Sequence, residues 1–365
     1  MNYKYEVTIA IPVYNVASYV RKSLLSALNQ DFDETYEILV VDDKGSDESM
    51  DIVKAIKQEH SKGNIIRIVE HTQNKGLGPA RNTAIEYAKG RYLFFLDSDD
   101  WISSDCLSLL YKKAVENDAE MVVGSICRIE EKTGHITSKT IYKDEVITHT
   151  AAGVYLFSLN HHVHIEVWNK LFKLDFLKRF HIGCVHRIME DYIFDFNLRC
   201  NIRKIAFIPN ITLFYNIREN SIVTKLRGKH GSDESAYTFS NIIERLQVLV
   251  TEKYKNIPGV YDLYYRRITW ALEGIGASIY DEKQWIYITE HIKGYHDFIP
   301  NSSVLKDPRN WFLYKFDKES QNLNHFYKIN RYSESFVARL IFKLIRKARC
   351  IKISLCGFFA KQDVI

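Results

Sequence analysis

A chain of 365 residues with 46% hydrophobic and 26% charged side chains has the makeup of an ordinary globular protein, long enough for one large domain and an accessory region. No apolar run reaches the roughly 18 residues of a membrane span, no secretory leader opens the chain, and the six cysteines have no zinc-like spacing, so a reduced cytoplasmic protein is expected. The net charge of +5 belongs to the tail, because the last 35 residues hold eight Lys/Arg against Glu334 and Asp363; the body is close to neutral, and no nucleic-acid partner is expected.

The first 125 residues alternate between strand and helix patterns. Val7 to Val13 is a short β-branched run ended by Tyr14-Asn15 and reads as a buried strand. Ser18 is placed to cap a helix to about Asn29, with Val20, Leu24, Leu25 and Leu28 on one face. Glu37 to Val41 predicts a second strand running into Asp42-Asp43 and the turn Lys44-Gly45-Ser46. A helix from Ser49 to about His60, a strand Ile65 to Val69 and a helix Pro79 to Ala88 follow. A fourth strand, Tyr92 to Leu96, ends in Asp97-Ser98-Asp99-Asp100.

Such alternation predicts an α/β fold with a mostly parallel sheet flanked by helices, whose ligands bind beyond the carboxyl ends of the strands. Three strand ends are polar there: Pro12 to Asn15, Asp42-Asp43 and Asp97 to Asp100. From about 126 to 215 the pattern is irregular, and 232 to 300 reads as mainly helical. The expected division is an α/β domain over 1–220, a helical accessory region over 221–330 and a basic amphipathic tail over 331–365.

Three carboxylates within Asp97 to Asp100 repel one another unless a positive group joins them, and a divalent cation held by carboxylate and diphosphate oxygens is a natural partner. The competing reading is a solvated turn in which Asp100 and Ser103 cap the next helix. Asp43 offers an acceptor for the ring N–H of uracil, against an Asx-turn cap as the plainer use. In Asn74-Lys-Gly-Leu-Gly-Pro-Ala-Arg81-Asn82 the glycines permit close backbone approach, and Arg81 can reach a phosphate or an acidic neighbour.

The order Pro12-Val-Tyr-Asn15, Val41-Asp-Asp-x-Gly-Ser46, Asn74-x-Gly-x-x-x-Ala-Arg-Asn82 and Leu96-Asp-Ser-Asp-Asp100 resembles that of family 2 inverting glycosyltransferases with the GT-A fold. A looser likeness to the bacterial surface-polysaccharide branch continues through Val167-Trp-Asn-Lys-Leu-Phe172, Met189-Glu-Asp191 and Tyr215-x-x-Arg218-x-x-x-Ser221. The resemblance implies that a nucleotide-sugar, with UDP preferred, donates to a saccharide or lipid-linked saccharide. It implies Pro12, Tyr14 and Asn15 lining the nucleoside pocket, Asp43 on the base and Asp42 supporting it. Asn74, Gly76 and Arg81 would complete the donor site with Ser98. Asp97 and Asp99 would hold Mn²⁺ or Mg²⁺, with Asp99 the direct ligand. Asp191 would be the catalytic base, with Glu190 orienting it. Lys44, where the family commonly has Gly or Asn, and Thr83, where Gly is frequent, depart from the pattern.

Other residues are candidates as well. Trp168 stacks on a sugar or belongs to the core. Lys170 and Arg218 are placed to contact donor phosphates. His161, His162 and His164 read as a polar loop near the acceptor rather than a metal site. The tail's Lys/Arg against Val, Leu, Ile and Phe suits peripheral contact with the inner face of the plasma membrane. A sugar nucleotidyltransferase and a catalytically inactive glycan-binding relative are the competing functions. The first would want a glycine-rich phosphate loop where Pro12-Val-Tyr-Asn15 stands, and the second would not need Asp97, Asp99 and Asp191.

Overall fold

The computed structural model describes residues 3–158, 163–185 and 190–219, together with a discontinuous set of positions between 242 and 264. The tail 331–365 and nearly all of the accessory region lie outside these residues, as do His161, His162 and Met189.

The N-terminal half folds as its periodicity predicts. Strand β1 (Tyr5–Val13) leads to α1 (Val20–Leu28), β2 (Tyr36–Asp42), α2 (Ser49–Glu59), β3 (Ile66–Glu70), α3 (Leu77–Tyr87) and β4 (Gly90–Phe95). Ser18 does not cap α1: the helix opens without a side-chain cap, and the amides of Tyr19 and Val20 instead donate to the Val16 carbonyl at 2.8 and 2.9 Å. After a short β5 (Trp101–Ile102) come α4 (Cys106–Asn117), β6 (Met121–Glu130), β7 (Ile136–Thr140), β8 (Glu145–Thr148) and α5 (Ala152–Ser158). The segment ends with β9 (Lys170–Lys173), α6 (Leu174–Arg179), α7 (Asp191–Asn201) and β10 (Lys204–Ile217).

The irregular reading of 126–215 is therefore corrected. Five strands lie wholly or partly there, and β10 alone runs 14 residues. Pro209-Asn210 interrupts its apolar run, where the pairing with β6 shifts register between Phe207 and Ile211, and that break hid its length.

The sheet order is β3-β2-β1-β4-β9-β6-β10-β5, with β7 beside β6 and β8 beside β10. β1, β2, β3 and β4 are mutually parallel; β9 runs antiparallel between β4 and β6, so β6 and its parallel neighbour β10 point the same way as β1. All their carboxyl ends thus share one edge. Alternating residues of the buried strands feed two cores. Val7, Ile9 and Ile11 meet Leu24, Val53 and Leu110 of α1, α2 and α4. Ala10, Leu39 and Phe95 meet Ala80, Leu177 and Phe194 of α3, α6 and α7. Coverage on both faces explains why β1 and β2 are continuous apolar runs instead of alternating ones. No helix among the described residues is long and apolar enough to cross a membrane.

Candidate active site

The loops that leave β1 and β2 are stitched together at the carboxyl edge. Asn15, at a φ of +51°, accepts the Ser46 amide on Oδ1 at 2.7 Å. Ala17 N–H donates to Asp47 Oδ2 and Val16 N–H to Ser49 Oγ, both at 2.8 Å. Gly45 permits the approach, since a Cβ there would stand 2.7 Å from Asn15 Oδ1. Pro12 lies within β1, and Tyr14 leaves its ring exposed beside this seam. Lys44 sits at a φ of +56°, a region that Gly and Asn enter at lower cost.

The paired aspartates are used differently. Asp42 accepts the Lys44 amide at 2.8 Å, so it closes its own turn, and the Lys44 ammonium bridges to Glu70 at 2.9 Å. Asp43 reaches across to the loop after β3. Its Oδ1 lies 2.7 Å from His71 Nδ1 and accepts the Lys75 amide at 2.8 Å, while Oδ2 accepts the Gly76 amide at 2.8 Å. Gly76, at a φ of +96°, opens α3 from that turn, and Asn74 lies on the same loop. His71 Nε2 is 2.8 Å from Thr83 Oγ1 on α3. Sequence reasoning missed His71, and its one signal was its place three residues before Asn74.

Arg81 gathers the chemistry. Its guanidinium is 1% exposed and donates to three carboxylates: Nη1 to Glu190 and to Asp191 Oδ1 at 2.9 Å, and Nη2 to Asp97 Oδ1 at 2.9 Å. The acidic neighbours expected within reach of Arg81 are Glu190, Asp191 and Asp97. Burial pushes Asp191 well above the usual carboxylate range and raises Glu190, with the Arg81 charge opposing both. Next to Arg81, Asn82 clasps the backbone of Cys184 with both ends of its amide, at 2.6 and 2.7 Å. That clasp ties α3 to the segment that leads toward Glu190.

The Asp97 to Asp100 loop is a tight turn, its Asp100 amide donating to the Asp97 carbonyl at 3.0 Å and Ser98 buried within it. Asp99 Oδ2 accepts Arg218 Nε at 2.7 Å, and that guanidinium lies over the Tyr19 ring. Asp100 does not cap α4, which opens without a side-chain cap. Its Oδ1 accepts the Asn216 amide of β10 at 2.8 Å, and its buried Oδ2 has no hydrogen-bond partner among the described residues. Burial, then the neighbouring acids, raise Asp99 and push Asp100 well above the ordinary range.

Trp168 and Lys170 lie deeper than a substrate-facing reading expects. Trp168 is a core residue, its ring beside His164 and Tyr215. Lys170 is buried with its ammonium on the Glu166 carbonyl, and burial lowers it to about 8 against the pull of Glu166, Asp195 and Asp191.

A divalent cation finds oxygen donors of the right hardness here, although among the described residues no three His, Cys, Asp or Glu side chains converge as a metal cage. A cation completed by substrate phosphates needs only one or two carboxylates. Asp97 Oδ2 and Asp99 Oδ1 lie outside the ion pairs with Arg81 and Arg218, so the loop fits such a cation with the diphosphate as the other partner.

Residues 8–179 match the family model for glycosyl transferase family 2. Glycosyltransferase GlyA of Streptococcus pneumoniae serotype 4 is 32% identical over 226 residues, 60% of this chain and 31% of that protein. Poly(ribitol-phosphate) beta-glucosyltransferase of Bacillus spizizenii is 32% identical over 220 residues, 59% of this chain and 33% of that one. The chain therefore spans about a third of the length of these two curated relatives. Among solved structures, Staphylococcus aureus TarS 1-349 in complex with UDP-GlcNAc superposes with a TM-score of 0.62 at 19% identity, covering 79% of this chain and 80% of that one. With the strand-end motifs and the sheet order, these likenesses make residues 8–179 a family 2 glycosyltransferase segment and give the chain a GT-A fold.

Proposed function

We propose that the protein transfers a sugar, with inversion, from a UDP-sugar to a hydroxyl of a saccharide or lipid-linked saccharide during synthesis of a cell-surface polymer. The observation that carries this reading is the Arg81 cluster, which sets Asp191, the proposed base, on the same guanidinium as Asp97 of the acidic loop. Acceptor activation and leaving-group stabilisation then share one edge of the sheet.

In this reading the nucleoside rests against Pro12, Tyr14 and Asn15, with Asp43 on the base and the Asn74–Gly76 loop beside it. Asp97 and Asp99 would hold Mn²⁺ or Mg²⁺, which would supply positive charge to the departing diphosphate. Arg218, released from Asp99, has a planar fork suited to a phosphate oxygen. Asp191 takes the proton of the acceptor hydroxyl as it attacks the anomeric carbon from the face opposite the diphosphate. Arg81 holds the Asp191 carboxyl in place and tempers its affinity for protons, while Glu190 shares the same guanidinium nitrogen.

The test is a panel of nucleotide-sugars with Mn²⁺ and saccharide acceptors, scored for diphosphate release and for UDP binding by calorimetry. Asp191→Asn is expected to keep UDP binding and lose about 10²–10⁴ in turnover, the range general-base assistance supplies. Asp99→Ala is expected to lose metal-dependent UDP binding. Absence of binding across the panel would favour an inactive glycan-binding relative, and release of pyrophosphate a nucleotidyltransferase.

A further inference from the structure

We propose that His71, backed by Thr83, is a positioning residue for base recognition: it fixes the Asp43 carboxylate so that one acceptor position stays open to the ring N–H of uracil or thymine. The inference rests on the donor-site reading above. An ionised carboxylate has about four acceptor positions. Three are filled within the protein: Oδ1 by His71 Nδ1 and the Lys75 amide, Oδ2 by the Gly76 amide. Oδ1 is thereby saturated and Oδ2 keeps one position.

The two amides belong to the loop that wraps over Asp43, so the imidazole is the side chain that sets the rotation of the carboxylate. Its own orientation is fixed twice over, by burial and by Thr83 Oγ1 at 2.8 Å. Asp43 as an anion only accepts, which assigns the proton to Nδ1; in the neutral ring Nε2 then accepts the Thr83 hydroxyl proton. Thr83, where the family frequently has Gly, is therefore what supplies the second hold on the ring. An oxygen lone pair left open in this way selects a base that donates. Uracil and thymine present a ring N–H at N3, whereas cytosine presents an acceptor there and meets Asp43 lone pair to lone pair.

The experiment is calorimetric titration of UDP and CDP with Mn²⁺ into the full chain and its His71→Asn, His71→Gln and Thr83→Val variants, with a thermal melt of each. The Asn amide nitrogen falls near Nδ1 and keeps the bond to Asp43; the Gln amide falls near Nε2 and keeps only the bond to Thr83. UDP affinity is expected to drop about tenfold to a hundredfold in His71→Gln, the worth of a hydrogen bond to a charged group, and much less in His71→Asn. Thr83→Val falls between them. In turnover measured over a range of donor concentrations the loss appears in the donor KM while kcat holds, and CDP binds poorly to every form. Equal losses for Asn and Gln, or affinities that follow the melting temperatures, would reduce His71 to a structural role and overturn the inference. Undiminished UDP binding by His71→Gln overturns the inference alone, whereas a wild type that binds no UDP overturns it together with the donor-site reading.

Discussion

Replacing Arg81 by Met tests whether one cation holds the acidic cluster together. The guanidinium is buried, and the side chains it binds are buried at Glu190 and mostly so at Asp97 and Asp191. Removing one partner of a buried ion pair costs roughly 3–5 kcal/mol, because the other charge stays behind uncompensated. Protonation limits that cost, since burial already raises Glu190 and Asp191. The loss must therefore depend on pH, and its sign follows. Without Arg81 the folded-state values of these acids climb further above the unfolded ones, about 3.9 for Asp and 4.3 for Glu. Stability is then kept at pH below the unfolded values and lost as pH rises through the raised folded ones. Arg81→Met should match wild type best near pH 4 and least above neutrality. At roughly 2–4 °C per kcal/mol for a domain of 150–250 residues, the melting temperature should fall by about 6–20 °C on the alkaline side. Thermal melts across pH for wild type, Arg81→Met and Arg81→Met/Asp191→Asn read this directly, the double variant recovering part of the loss. A deficit that is independent of pH, or under about 1 kcal/mol throughout, would refute the single-cation account.

Lys170→Met removes a buried ammonium whose value of about 8, against 10.5 unperturbed, corresponds to about 3 kcal/mol held against the fold. Because this folded value lies below the unfolded one, the variant should be the more stable protein at pH 7, with the difference closing as pH rises from 8 toward 10.5 in chemical denaturation. Gly45→Ala places a methyl 2.7 Å from Asn15 Oδ1, so the seam between the first two loops must open; UDP affinity measured by calorimetry should fall while far-UV circular dichroism stays unchanged. Deleting 331–365 should abolish salt-sensitive co-sedimentation with anionic vesicles, each Lys/Arg near the surface being worth about 1 kcal/mol, and leave neutral vesicles unbound as before. Equal sedimentation of the truncated chain would remove the membrane-surface proposal.

The strand-end motifs were legible because they are local. A buried parallel strand reads as an apolar run, and the polar residues that terminate it fall on one edge whatever the tertiary detail. Hence β1 to β4, and the clustering of Asn15, Asp43 and Asp97 at their ends, follow from the chain alone. β9 and β10 did not, for opposite reasons. β9 is four residues long, too short for its period to register, and β10 carries Pro209-Asn210 at a bulge that splits its pattern into two unremarkable pieces.

The chemistry of the site was legible as residue types but not as partners, and the distinction has a physical cause. Arg81 and Glu190 lie 109 positions apart, and Arg218 and Asp99 lie 119 apart. No periodicity spans such intervals; only the sheet order, with α3 and α7 packed on the same face, brings the first pair together. A run of aspartates announces that positive charge must arrive from somewhere, without saying whether a metal or the protein brings it. Here two arginines bring it to Asp97 and Asp99, each leaving a carboxylate oxygen outside the ion pair. The same side chains that make the ligand-free fold electrostatically tolerable are thus the ones whose release or retention decides what the acidic loop can bind. A sequence motif names one half of that balance, and the fold supplies the other.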